Sequence, residues 1–248
     1  MKAIDKMLGA AYRLAAHFKR STVSTEALRR KQAALGGVYA NQSAGQEVGE
    51  EECKILEVIV DCPTRWNSSL DMLERLVKLR WAIGAVLSDP TFTARNHAST
   101  LEMTDGNRCL AKALIPVLKP LKRVTTLSSG QNYPSLSSVF PHLFIIIKNI
   151  EVQVADEPAA AKECRQVIVK ELKRRYYPAG YATSNTAKAA VLDPRYKLLK
   201  FFEEQQRKES YEAIRSEMND VVLLSPSLAT SDESTPPAGE ENQTDIRG

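Results

Sequence analysis

Asp61-Cys62-Pro63-Thr64-Arg65-Trp66-Asn67-Ser68-Ser69-Leu70-Asp71-Met72-Leu73-Glu74-Arg75-Leu76 is the stretch whose reading decides the fold. Leu70, Leu73, Leu76, Val77, Ile83 and Leu87 recur at helical spacing, which predicts one long helix from about Thr64 to Leu87, the longest of the chain. Ser88-Asp89-Pro90 closes it, because the residue before a proline is driven out of the helical region. Arg65 and Trp66 stand at the mouth of this helix, beside a proline, where a plain core helix requires neither.

Helical periodicity extends in both directions. Ile4, Met7, Leu8, Ala11, Leu14, Ala15 and Phe18 predict a helix over residues 3–19. A second helix is predicted over 25–35 and should stop at Gly36-Gly37, giving an N-terminal helical hairpin at 1–37. Residues 38–54, with Glu47, Glu50, Glu51 and Glu52, read as an acidic flexible loop. Ile55 to Val60 is β-like and fits a short strand or a buried extended arm.

Past Asp105-Gly106-Asn107 comes an apolar stripe holding Pro116 and Pro120, which should kink or divide its helix. Pro134 and Pro158 open further helices, and Asp193 is placed as the N-cap of a helix whose first residue is Pro194. A last helix is expected from Glu203 to Leu224, at the edge of a tail rich in Ser, Thr, Pro and Glu that reads as disordered over 223–248. The fold class is mainly α: an irregular multi-helix domain of about eight helices, with its main body at 55–222.

Composition narrows the function. The net charge of +4 is unevenly spread. From Ser225 onward five acids face Arg247 alone, a balance of −4, so the first 224 residues hold 33 basic and 25 acidic side chains, or +8. A basic body suits a polyanionic partner, although lysine-rich solvated surfaces give the same balance. No apolar run approaches the ~20 residues of a membrane span, and no signal-peptide core is visible, so an intracellular protein without a membrane partner is expected.

Cys53, Cys62, Cys109 and Cys164 are scattered and form no C-x-x-C pair, and His17, His97 and His142 add no zinc spacing. No cofactor, metal or small-molecule substrate is expected. Phosphate-loop, nucleophile-elbow and zinc-protease motifs are missing, and the acid runs Glu50-Glu51-Glu52 and Glu203-Glu204 read as solvated.

The Asp61–Arg75 segment resembles the arginine–tryptophan segment of hAT-family transposases and of the zinc-finger BED proteins descended from them, close to D-x-P-T-R-W-N-S-x-x-D-M-L-x-R. His17-Phe18-Lys19-Arg20-Ser21, Thr25-Glu26-Ala27-Leu28, Leu118-Lys119-Pro120, Tyr133-Pro134-Ser135-Leu136 and Leu192-Asp193-Pro194-Arg195-Tyr196-Lys197 extend the likeness over about residues 1–222.

The resemblance implies the helical insertion of an RNase H-like transposase, with the BED finger and the Asp/Asp/Glu triad outside the matched region. It also implies a catalytically inactive, transposon-derived nuclear protein that is not an enzyme. Such a protein would associate with DNA or transposase-like partners, or with itself, and would act in transcription regulation. The alternative is a helical protein-interaction scaffold with no DNA function.

Six residues are candidate DNA contacts. In the resembled family the tryptophan matching Trp66 stacks on an extruded base, with the arginine matching Arg65 beside it. Physically, an indole face can replace base stacking while a guanidinium holds a phosphate. The competing reading, favoured for this chain alone, makes Trp66 a core anchor and Arg65 its amphipathic cover. Trp81 is expected in the core or at its edge, and His17 as a packing residue. Lys170, Lys173, Arg174 and Arg175 form the densest basic cluster, open to phosphate contact, nuclear import or an ordinary solvated face.

Overall fold

The computed structural model describes residues 2–40, 55–62, 64–129, 135–152 and 154–223. Among them ten α-helices follow in order: α1 (Lys2–Arg20), α2 (Thr22–Ala40), α3 (Trp66–Lys78), α4 (Arg80–Leu87), α5 (Arg95–Leu101), α6 (Asp105–Ser128), α7 (Val139–Ile150), α8 (Ala159–Tyr176), α9 (Asn185–Leu192) and α10 (Glu204–Leu223). Three 3-10 turns, Leu136–Ser138, Tyr181–Thr183 and Pro194–Tyr196, join the later ones. The mainly α expectation holds, and no strand occurs among the described residues. No described helix is long and apolar enough to cross a membrane.

The expected single helix over 64–87 is divided. Leu79 (φ −85°, ψ 4°) separates α3 from α4, although Leu79 N–H still donates to Arg75 O and Ile83 N–H to Leu79 O, both at 2.9 Å. No glycine or proline marks this place. The bend follows from partners: α3 packs on α1 and α6, whereas α4 packs on α2. α6, at 24 residues, is the longest helix among the described residues.

α6 also corrects the proline expectation, since it runs undivided through Pro116 and Pro120. A proline removes the bond to the carbonyl four residues earlier. Spaced by four, these two free the carbonyls of Lys112 and Pro116. Both of those residues are exposed, on the side of the helix where water can satisfy them.

α2 departs from expectation at both ends. Ser21 accepts from Ser24 N–H at 3.1 Å and so caps the helix at Thr22, and the backbone passes Gly36-Gly37 to Ala40. Glycine weakens a helix by about 1 kcal/mol but does not compel a stop. Residues 38–40 therefore belong to α2, while Glu47, Glu50, Glu51 and Glu52 and the tail from 224 lie outside the described residues.

The β-like run becomes the extended arm. Val58 enters the main core, and the Gln32 side chain supplies what a neighbouring strand would: its amide donates to Leu56 O at 2.9 Å and accepts from Leu56 N–H at 2.8 Å.

The main core gathers Met7, Ala11, Leu14 and Phe18 from α1, Leu28 from α2, Met72, Leu73 and Leu76 from α3, Ile83 and Val86 from α4, and Leu110, Ala111 and Leu114 from α6. Farther along α6, Val117 packs with Ile146 and Ile150 of α7, with Ile168, Val169 and Leu172 of α8 against them. A third, aromatic cluster sets Phe140, Tyr177, Tyr181 and Phe202 edge to face or tilted at 4.9–5.6 Å. Burial there pushes Tyr177 up to about 12.

Arg165 of α8 ties these layers together. Its Nη1 donates to Ile150 O and Val152 O, both at 2.6 Å, and so satisfies carbonyls at and just beyond the end of α7. Its Nη2 meets Glu157 Oε1 at 2.5 Å, with the two side chains only 11% and 6% exposed. Removing one member of such a buried pair leaves the other charge uncompensated. Arg165→Met should therefore cost about 3–5 kcal/mol of stability in urea unfolding. A loss below about 1 kcal/mol, the level of exposed ion pairs, would show that the pair is solvated.

Candidate nucleic-acid interface

The mouth of α3 is built by its own polar residues. The Ser68 hydroxyl accepts from Cys62 N–H at 2.8 Å and donates to Asp61 Oδ1 at 2.5 Å, while Ser69 donates to the same oxygen at 3.0 Å. Arg65 N–H closes a turn onto Cys62 O at 2.8 Å, and Ser68 N–H donates to Arg65 O at 2.9 Å. These bonds pin the chain from both sides of Arg65-Trp66. Hydrogen bonds from Thr64, side chain first and then backbone, lower the exposed Cys62 thiol from its ordinary value.

Arg65 takes the N-cap position with extended backbone (φ −133°, ψ 98°), and its side chain caps nothing. It is exposed and has no carboxylate partner among the described residues. Trp66, the first helical residue, is 45% exposed. This corrects the core-anchor reading: Trp66 shares a helix face with Leu70, four residues on, but burial along α3 begins only at Leu70, one turn later. Beside it, Asn67 Oδ1 is buried without a hydrogen-bond partner among the described residues.

Trp81 is likewise not core. It is 56% exposed, with the Arg80 guanidinium 4.1 Å from its ring centroid, a cation–π pair at the surface.

The basic cluster divides. Arg174 and Arg175 both turn back onto Glu171, at 2.6 and 2.7 Å. Their hydrogen bonds, Arg174 first, hold the Glu171 carboxyl down to about 2. Lys173 pairs with Glu151 at 2.7 Å. Lys170 alone of the four has no acidic partner among the described residues.

Lys170 and Lys173 line an open groove of about 630 Å³ between α8 and the turn after α7, together with Lys162 and Arg165. Lys162, the other unpaired cation there, escaped the sequence reading; it lies eight residues before Lys170, on nearly the same helix face. Glu151, Asp156 and Glu157 line the same groove and offset much of its charge. The six candidates thus fall on two elements, the start of α3 and the far half of α8.

Asp193 fulfils its capping role on a smaller scale, accepting from Arg195 N–H at 3.0 Å to open a 3-10 turn. The Arg195 side chain and then the Ser137 hydroxyl draw its carboxyl well below the usual range.

Against known proteins, this chain is 25% identical over 161 residues to the human zinc finger BED domain-containing protein 4. The match covers 64% of this chain and 13% of that protein, so the chain spans a small part of the relative's length. No protein-family profile matches it. Fold and comparison together describe a mainly α-helical protein with a distant similarity to one BED zinc-finger protein.

The bonding at the mouth of α3 gives a direct test. Ser68→Ala deletes the hydroxyl that joins Asp61 to Cys62 and should cost about 0.5–1.5 kcal/mol. It should also raise the mobility of Trp66, read as a fall in indole fluorescence anisotropy in a Trp81→Phe background. Unchanged anisotropy would mean that the turn is held by other contacts.

Proposed function

We propose that this chain is a catalytically inactive hAT-transposase-like protein of the BED-finger group, acting in the nucleus by associating with DNA or with transposase-like partners, in a role in transcription regulation. The observation that carries the reading is the Arg65–Trp66 pair: an open indole face and an unpaired guanidinium, side by side on a hydrogen-bonded turn. Their exposure supports contact with a partner rather than packing. An unstacked base would cover the indole, and the adjoining phosphate would meet Arg65. The distant likeness to a BED zinc-finger protein supports the same assignment.

Lys170 and Lys162 supply a second cationic element under this reading, with Lys173, Arg174 and Arg175 contributing after release from their acids. No strand-cleaving step is assigned to any residue. Purified protein with Mg²⁺ or Mn²⁺ and hairpin-ended DNA should show no cleavage above a mock preparation. Cleavage abolished by a single acid substitution would overturn that part.

The alternative, a protein-interaction scaffold without DNA function, draws on the exposed Phe144 and Ile145 of α7. Salt separates the two readings, because phosphate contacts release counterions whereas an apolar interface does not.

Trp66→Ala should weaken binding to single-stranded or hairpin-ended DNA by about 1–3 kcal/mol and leave the melting temperature unchanged. Arg65→Ala should reduce the slope of log affinity against log salt by about 0.7 on a single strand. A Trp66→Ala protein with full DNA affinity would remove the site.

A further inference from the structure

Along α1, Arg13, His17 and Arg20 are spaced four and three residues apart and so share one face of the helix. α5 lies against that face and brings His97, whose ring meets His17 edge to face at 5.1 Å. Between the two helices runs an open groove of about 470 Å³. Arg13, His17, Arg20 and His97 line it, with hydroxyls from Tyr12, Ser21 and Thr100.

Two features set this groove apart from the α8 groove. No carboxylate among the described residues lines it. Arg13 and Arg20 have no ion pair or hydrogen bond among the described residues, whereas Arg174, Arg175 and Lys173 are all neutralised by their own neighbours.

Two exposed guanidiniums seven residues apart on one helix face, with imidazoles between them, give the groove a positive potential that attracts an anion. The carbonyl end of α1 does not supply the missing negative charge. The positive start of α2 follows at once, with only Ser21 between them, and the two half-charges oppose each other.

We propose that this groove is a phosphate-binding site, with Arg13 and Arg20 gripping the oxyanion and His17, His97 and the Tyr12 and Ser21 hydroxyls completing its hydrogen bonds. The donor set chooses phosphate over carboxylate. A carboxylate has two coplanar oxygens, which one guanidinium saturates, whereas a phosphoryl group presents oxygens in several directions to donors on both helices. The site shares no residue with the Arg65–Trp66 pair and goes beyond the function assigned to it. A nucleic-acid strand and a free phosphorylated small molecule present the same chemistry.

Acidity should tighten the grip. In the free protein, burial first and then His97 hold His17 below its ordinary value of 6.5. The titratable groups lining the groove around it are Tyr12, Arg13 and Arg20 from α1 and His97 from α5, while α2 contributes the buried Ser24 hydroxyl 3.1 Å from His17 Nε2.

Because the folded value is lowered, the unfolded chain takes up a proton first, and stability falls as pH drops below about 6.5. A bound phosphodiester keeps its charge over this range and favours the imidazolium. Binding should therefore strengthen as pH falls from about 7.5 to 5.5, and the loss of stability should shrink.

The chain has only three histidines, so ring-proton NMR reads the site directly. The full chain is titrated in low salt with inorganic phosphate and, separately, with an oligothymidylate of about ten nucleotides. The His17 and His97 signals should move on binding, and His17 should titrate at higher pH when bound, while the His142 signal, outside the groove, stays in place. Arg13→Gln with Arg20→Gln should weaken the response about tenfold or more, whereas Trp66→Ala should leave the response to inorganic phosphate intact.

Response to both probes makes the phosphate group sufficient. Response to the oligonucleotide alone assigns a strand, and response to phosphate alone assigns a small phosphorylated ligand; each supports the site. It is overturned if neither probe moves His17 and His97, if the double variant responds like the parent, if Trp66→Ala abolishes the response to inorganic phosphate, or if hexaglutamate binds equally well.

Discussion

The continuity of α6 through two prolines is the constraint on which the rest of the molecule depends. Leu110, Ala111 and Leu114 belong to the core shared with α1, α3 and α4, and Val117 three residues later belongs to the one shared with α7. A break between Leu114 and Val117 would uncouple the two. A proline inside a helix costs about 3 kcal/mol, yet the residues whose carbonyls Pro116 and Pro120 free, Lys112 and Pro116, are exposed, and Leu114 and Val117 on either side of Pro116 are buried. Lys119 and Lys122 pair with Glu74 and Asp71 of α3 and bind the two helices along their solvent edge.

Charge on this surface has meaning only after pairing. Lys170, Lys173, Arg174 and Arg175 form the most basic run in the sequence, but Glu171 lies within it and one turn of helix brings both arginines onto that carboxylate. Arg13, His17 and Arg20 look unremarkable in one dimension and face no acid among the described residues in three. The difference comes from α5, whose only titratable contribution to the α1 face is another imidazole.

Polar side chains do the work of absent secondary structure at two places. Gln32 completes the backbone bonds of the arm at Leu56, so β-like residues can lie buried without a sheet. Asp61, Ser68 and Ser69 fix the turn before α3 and keep Trp66 outside the core although it begins a strongly amphipathic helix. A large aromatic left open on so constrained a turn is where a partner's flat group can dock with little ordering cost.

The sequence by itself determined the helical class, the span of α1, the start of α6 at Asp105, the cap at Asp193 and the apolar stripe that begins at Leu70, because each rests on local spacing or local capping chemistry. It also singled out Arg65 and Trp66 at the mouth of α3, but it favoured Trp66 as a core anchor. The tertiary structure decided whatever depends on which neighbour arrives. It split the 64–87 stripe at Leu79, because α6 and α2 claim its two halves, and it kept α6 whole by turning the proline face to solvent. It placed Trp66 at the surface, one turn ahead of the buried stripe. It also set His97 against His17, 80 residues away in the chain, a pairing that no helical period can encode.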